Sequence, residues 1–200
     1  MGVCVLASRV STVVYVTRIR RAMGDGDVFV PRFRLTLTNA SLERCISLAV
    51  QQLGYEQATQ EQREAMKNFV LGKDVFVSLP TGSGKTLCYA ALPVVFDRIR
   101  ELPPNTAQLS IVVCVSPFSA LMLGQVMALN RRGLQATHVG MAQKDVNVKK
   151  DVERGRYQLV LLSPESLLLN LAWREMFRSC VYRENLAGLV IDEAHLVEKW

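Results

Sequence analysis

Leu79-Pro80-Thr81-Gly82-Ser83-Gly84-Lys85-Thr86 is a run of residue types suited to holding a polyphosphate. A glycine-bearing turn lets successive backbone N–H groups converge on phosphate oxygens. The Lys85 ammonium adds charge at the β and γ phosphates, and the Thr86 hydroxyl can ligate Mg2+ as a helix opens. Thr81, Gly82, Ser83, Gly84, Lys85 and Thr86 are therefore the candidate nucleotide-binding residues, with ATP and Mg2+ as the expected cofactors. A glycine usually stands six residues before such a lysine; here the position is Leu79. About a hundred residues on, the apolar run Leu189-Val190-Ile191 leads into Asp192-Glu193. Two adjacent acids alone read as solvated turn residues. At the end of a buried strand they point into the crevice at the carboxyl edge of a sheet, where ligands bind. There Asp192 would hold Mg2+ through water and Glu193 would polarise an attacking water as general base.

These residues must be positioned by strands and helices, and the sequence supplies both in alternation. Apolar runs at Val75–Leu79, Ile111–Val115, Leu159–Leu162 and Gly188–Ile191, with a weaker one at Ala136–Val139, read as strands. Helical segments are expected at Lys85–Arg100, Ser119–Arg131, Val146–Arg154 and Glu165–Phe177. Continuous rather than alternating hydrophobicity means strands covered on both faces, and strand-helix alternation means parallel crossovers. The expected fold class is α/β, a doubly wound, mostly parallel sheet. Two helices precede it, one capped by Asn39 or Ser41 and ending at Gly54, the second running from Thr59 to Leu71. Pro103 and Pro104 mark a loop over Leu102–Thr106, and a turn-rich break covers Met23–Asp27 and Pro31.

Composition narrows the function classes. The chain has 200 residues, half of them hydrophobic, and a formal charge of +6. Most of that excess sits in the first 44 residues, which hold seven Arg against three acids, so any nucleic-acid contact in the remainder depends on local placement rather than bulk charge. The five cysteines form no CxxC pair, and with two histidines there is no zinc-like spacing; free thiols in a reducing compartment fit best. No uninterrupted apolar run approaches a membrane span. Residues 1–40 read as a basic, poorly ordered leader, although Val10–Thr17 has the pattern of a strand. Its arginines admit an organellar transit peptide, hence a mitochondrial alternative to the nucleus. Residues 41–200 read as the globular domain.

Residues 51 to 200 resemble the first RecA-like domain of a superfamily 2 helicase, specifically the RecQ group. Gly54-Tyr55 with Gln62, 23 residues before Lys85, resembles the motif in which an aromatic ring stacks on adenine and a Gln reads its polar edge. Lys85-Thr86-Leu87-Cys88-Tyr89 continues the P-loop as in that group. Ser116-Pro117 with Leu121-Met122 and Gln125-Val126 resembles motif Ia, and Ser163-Pro164-Glu165 with Leu167-Leu168-Leu169 resembles motif Ib. The resemblance implies that Ser116, Pro117, Ser163 and Pro164 hold phosphates of a single strand at strand-to-helix turns. Asp192-Glu193-Ala194-His195 is similar to the DEAH box, which gives His195 its catalytic assignment, and Trp200 falls where an aromatic-rich loop starts. Two positions depart from the group: Thr59 stands where an Arg is common, and Leu123-Gly124 where a charged pair is common.

The resemblance implies an ATP-dependent 3′-to-5′ DNA helicase, with RNA not excluded as a substrate and no membrane partner. It also implies a RecA-like fold that is incomplete in this chain, because a further strand after the DEAH box belongs between the P-loop strand and the DEAH strand, and a second RecA-like domain follows. Without them, a gap in mid-sheet, marginal solubility, weak ATP binding and little turnover are expected. The alternative is a noncatalytic nucleotide- or nucleic-acid-binding module that regulates a full helicase. On the bland reading, Tyr55 is a core aromatic, Ser116 and Ser163 are helix caps, and Arg131-Arg132 and Lys149-Lys150 lie on solvated helix faces.

Overall fold

The computed structural model describes residues 3–7, 12–17, 37–102, 109–140 and 145–199. The break at Met23–Asp27 and Pro31, the prolines of the 102–106 loop, and Trp200 lie outside them. Seven strands form one sheet: β1 (Val3–Ala7), β2 (Thr12–Thr17), β3 (Asp74–Leu79), β4 (Ile111–Val115), β5 (Ala136–Val139), β6 (Leu159–Leu162) and β7 (Leu186–Ile191), in the order β1-β3-β2-β7-β4-β6-β5. Every pairing is parallel except those of β2, which runs antiparallel to both β3 and β7.

Two strands of this sheet come from the stretch expected to be a leader, so the boundary expected near residue 40 is not an edge of the fold. The strand pattern within Val10–Thr17 materialises as β2, and it lies in the slot where the sequence implied a gap. Val14 and Val16 are buried, opposite Val77 and Val75 of β3, and Tyr15 stacks on Phe76 with ring centroids 4.4 Å apart. The mid-sheet gap is thus corrected. Backbone groups on the inner edges of β3 and β7, which would be costly to bury unpaired, find partners in β2.

The strands expected at the centre behave as their composition requires: β4 and β6 are buried at every residue. Helices cover both faces. α1 (Asn39–Gln52), α2 (Gln60–Val70), α3 (Lys85–Ala90), α4 (Leu92–Ile99) and α5 (Ser119–Arg131) contribute to one core cluster. α6 (Val146–Glu153), α8 (Leu171–Met176) and α9 (Cys180–Asn185) contribute to a second, which contains Trp173, Met176 and Tyr182. Among the described residues no helix is long and apolar enough to cross a membrane.

Several boundaries differ from expectation for identifiable reasons. The cap of α1 is Thr38, whose Oγ1 accepts from Ser41 N–H, rather than Asn39 or Ser41. The helix expected over Lys85–Arg100 breaks at Ala91, where Pro93 in the first turn of α4 has no N–H to offer the preceding turn. That expected over Glu165–Phe177 divides into α7 (Pro164–Leu169) and α8, with Asn170 Oδ1 capping the second piece through Ala172 N–H at 3.0 Å. α9 was not expected; Ser179 caps it, and its last residue abuts β7.

At the amino edge of the sheet, Asp97 of α4 accepts from Ser110 N–H (2.7 Å) and Gln158 Nε2 (2.9 Å), and Arg100 reaches Ser110 Oγ and Asn185 Oδ1. This network ties α4 to the starts of β4, β6 and β7. Those strands are parallel to β3, so their carboxyl ends all meet the P-loop at the opposite edge.

Candidate nucleotide site

The P-loop leaves β3 at Leu79 and enters α3 at Lys85. Gly82 and Gly84 take φ of 81° and 76°, the left-handed region that a side chain makes strained. Gly84 has a second reason to be glycine: a Cβ there would sit 2.9 Å from Gln62 Nε2. Ser83 Oγ and Ser83 N–H both donate to Pro80 O, closing the turn. Lys85 Nζ folds over the loop and donates to Leu79 O and Pro80 O, each at 2.9 Å. The ammonium is thereby held above the turn, and carbonyl partners are exchangeable for phosphate oxygens.

On β7, Asp192 N–H donates to Val115 O, so the first acid is fixed by the ladder with β4. Asp192 Oδ1 accepts from Glu193 N–H at 3.1 Å, and Glu193 adopts φ 53°. A left-handed non-glycine residue is strained by about 1–3 kcal/mol, so this backbone turn is held by its surroundings. Burial pushes the Asp192 carboxyl above the usual range, opposed by the Glu193 N–H bond and by the Lys85 ammonium. Glu193 is raised by burial and then by the Asp192 charge, while His195 and Lys85 draw it down. Its Oε2 is buried without a hydrogen-bond partner and lies 3.4 Å from Nδ1 of the half-exposed His195. A buried carboxylate oxygen with an unfilled lone pair can accept from a water, as a general base must.

Behind Asp192 the sequence reading missed Tyr89. Its hydroxyl is buried beside Thr86 and Cys114, and burial lifts it well above the ordinary tyrosine range. Cys114 is raised by burial too, and Cys88 is pushed up to about 12, so the wall behind the acids is neutral. Only its place five residues into α3 could have signalled Tyr89. No set of three or more His, Cys, Asp or Glu among the described residues could hold a metal ion. Thr86 and Asp192 supply a hydroxyl and one carboxylate, which fits Mg2+, an ion that keeps waters and shares phosphate oxygens rather than taking an all-protein cage.

The raised Asp192 carboxyl has a thermodynamic consequence. Its folded form holds a proton more tightly than the unfolded chain, so folding stability falls as pH rises through the interval between the unfolded value of 3.8 and the raised folded value, and the charge weakens the fold at neutral pH. Asp192→Asn keeps the Oδ1 acceptor. It is expected to raise the melting midpoint at pH 7, where the wild-type charge opposes folding. The gain should vanish below pH 3.8, where the wild-type group is protonated. A lowered midpoint at pH 7 would contradict the assignment.

Gln62 is only 5% exposed, and its amide is engaged internally. Oε1 accepts from Thr59 N–H (2.9 Å) in a capping box, and Nε2 donates to Ser83 O (2.9 Å) and Gly84 O (3.1 Å). In this structure it is a strut from α2 to the P-loop, with nothing left of Nε2 for an adenine edge. Tyr55 is half-buried in the turn between α1 and α2 and packs against the core with one part of its ring, so the core-aromatic reading and the stacking reading coexist.

The four residues expected to hold nucleic-acid phosphates lie at the carboxyl ends of β4 and β6, on the same edge as the P-loop. Ser163 is the N-cap of α7, accepting from Ser166 N–H, and both Ser163 and Pro164 are buried. Ser116 is 2% exposed and caps no helix, since α5 starts after Phe118. Pro117 is half-buried. Contact with a strand would therefore fall to the backbone at these turns.

A sequence model of the DEAD/DEAH box helicase family matches residues 59–200. The chain is 29% identical over 158 residues to an ATP-dependent DNA helicase Q-like SIM of Arabidopsis thaliana, covering 79% of this chain and 17% of that protein. It is 27% identical over 150 residues to the ATP-dependent DNA helicase RecQ of Haemophilus influenzae, covering 74% and 22%. With the ATP-dependent DNA helicase Q5 of Rattus norvegicus it shares 34% over 145 residues, covering 70% and 14%. The chain thus spans less than a quarter of the length of these curated relatives.

Proposed function

Because the chain belongs to the DEAD/DEAH box helicase family, we propose that it is the ATP-binding unit of a RecQ-like DNA helicase, coupling ATP hydrolysis to strand separation within a longer motor. The observation that carries this reading is the placing of the Lys85 ammonium, folded over the P-loop at the carboxyl end of β3, on the same sheet edge as Asp192 and Glu193 just past the end of β7.

In this reading the N–H groups of the Gly82–Thr86 turn cradle the phosphates, and Lys85 exchanges its two carbonyl partners for phosphate oxygens. Bound Mg2+ would supply further positive charge beside the terminal phosphate, held by Thr86 and, through water, by Asp192. Glu193 accepts the proton of the attacking water, and His195 tempers its charge. Tyr55 stacks on the base. DNA, with RNA as the secondary alternative, lies along the turns at Ser116-Pro117 and Ser163-Pro164. The eukaryotic relatives are DNA helicases by name, which supports the nucleus as the compartment. The mitochondrial alternative is left without support, since Val3–Ala7 and Thr12–Thr17 form strands rather than the amphipathic helix of a transit peptide.

Titration with a fluorescent ATP analogue tests the reading. Saturable binding, competed by ATP and weakened about tenfold or more when Mg2+ is chelated, is expected. Absence of competition at millimolar ATP would defeat it.

A further inference from the structure

We propose that Arg132, at the C-terminus of α5, is a positioning residue for the base end of the nucleotide site, acting through Tyr55; the proposal rests on the ATP-binding reading above. Spacing alone placed Arg132 on a solvated helix face, and it is exposed, yet its guanidinium is engaged. The guanidinium carbon lies 4.1 Å from the centroid of the Tyr55 ring, and Nη1 donates to Leu53 O (2.9 Å) and Gly54 O (3.3 Å).

Leu53 is the C-cap of α1, where carbonyls lack intrahelical donors and carry the negative end of the helix dipole. Gly54 follows at φ 74°, and a Cβ there would stand 3.4 Å from Arg132 Nη1. The guanidinium therefore seals the turn that presents Tyr55 while covering part of its ring.

The arginine itself is firmly placed. Arg132 N–H donates to Leu129 O as the cap of α5, Gly133 turns away at φ 81°, and Asn130 exchanges hydrogen bonds with both backbone groups of Ala136 on β5. Thr59, four residues beyond Tyr55, spends its hydroxyl on the α2 cap and has no guanidinium to offer. Arg132 supplies one from a different element. A ring clamped in this way stays in one orientation, so stacking a base on it carries less ordering entropy.

The test compares ATP with inorganic tripolyphosphate as probes, each with Mg2+, on the 200-residue chain and its Arg132→Ala, Arg132→Lys and Tyr55→Ala variants. Arg132→Ala should weaken ATP about five- to tenfold, on the scale where tenfold is 1.4 kcal/mol, and leave tripolyphosphate unchanged. Arg132→Lys should lose most of the same factor, because an ammonium keeps the charge but not the planar fork. In Tyr55→Ala the Arg132→Ala effect on ATP should disappear. Equal loss for both probes, unaltered ATP affinity, or additive losses with Tyr55→Ala would overturn the proposal. Binding of tripolyphosphate but not ATP to the wild-type chain would overturn it while leaving the P-loop assignment standing; binding of neither would remove the ATP reading and this inference together.

Discussion

Lys85→Ala is expected to lower ATP affinity by about 100-fold, roughly 3 kcal/mol, with a much smaller loss of stability at pH 7. The energy follows from what Nζ does. It holds two carbonyl oxygens at 2.9 Å above an otherwise neutral turn, and in the nucleotide complex those give way to charged phosphate oxygens. Hydrogen bonds to charged groups are worth about 1.5–3 kcal/mol each, and no other side chain on the loop replaces them. The loss of stability should be small beside that: without the ammonium the Asp192 and Glu193 carboxyls stand further above their unfolded values, so the fold weakens at neutral pH and recovers as pH falls toward those values. A second signature separates this lysine from a merely structural one. Its ammonium draws the Asp192 and Glu193 carboxyls down, so the alanine variant should titrate both acids at higher pH. Isotope-edited carboxyl spectra would show the shift. ATP binding retained at wild-type affinity would mean that the loop does not hold phosphate in this chain.

Why the nucleotide end of the site was legible in advance is a matter of locality. A P-loop is eight consecutive residues whose geometry is set by two left-handed glycines, and the acids follow directly on an apolar strand. Neither depends on distant contacts. Gln62 stands beside the loop, but its partners could not be read from the sequence, because a capping box to Thr59 and the close approach to Gly84 arise only once α2 packs against the loop. Arg132 and Tyr89 were invisible for the same reason: a guanidinium that binds carbonyls 78 and 79 residues away, and a phenol buried behind β7, have no local signature. The breaks at Ala91 and Asn170 carried signals, Pro93 and an Asn able to cap, which the surrounding hydrophobic periodicity masked.

β2 presents the sharpest case, since its strand pattern was readable while its place in the sheet was not, and it leads to the second large effect. Val14→Asp with Val16→Asp is expected to destabilise the fold by about 4 kcal/mol or more, a fall in melting midpoint of ~8–16 °C. Val14 is 0% and Val16 2% exposed, both within the main core cluster, so each carboxylate would be buried without a partner. β3 and β7 do not pair with each other; β2 alone joins them, Thr12–Val16 against Val75–Leu79 and Tyr15–Thr17 against Leu189–Ile191. The strand bearing the P-loop and the strand bearing Asp192 are therefore held in register through this segment. Losing it should uncouple Lys85 from the two acids, so nucleotide binding is expected to fall in step with the melting midpoint, unlike in Lys85→Ala, where the loss of binding far exceeds the loss of stability. The milder Val14→Ala with Val16→Ala should give a smaller fall in both, since the transfer and cavity terms replace a buried charge. If the double-Asp chain melts and binds as the wild type does, β2 is not part of the sheet in solution, and the inner edges of β3 and β7 must be covered by something else.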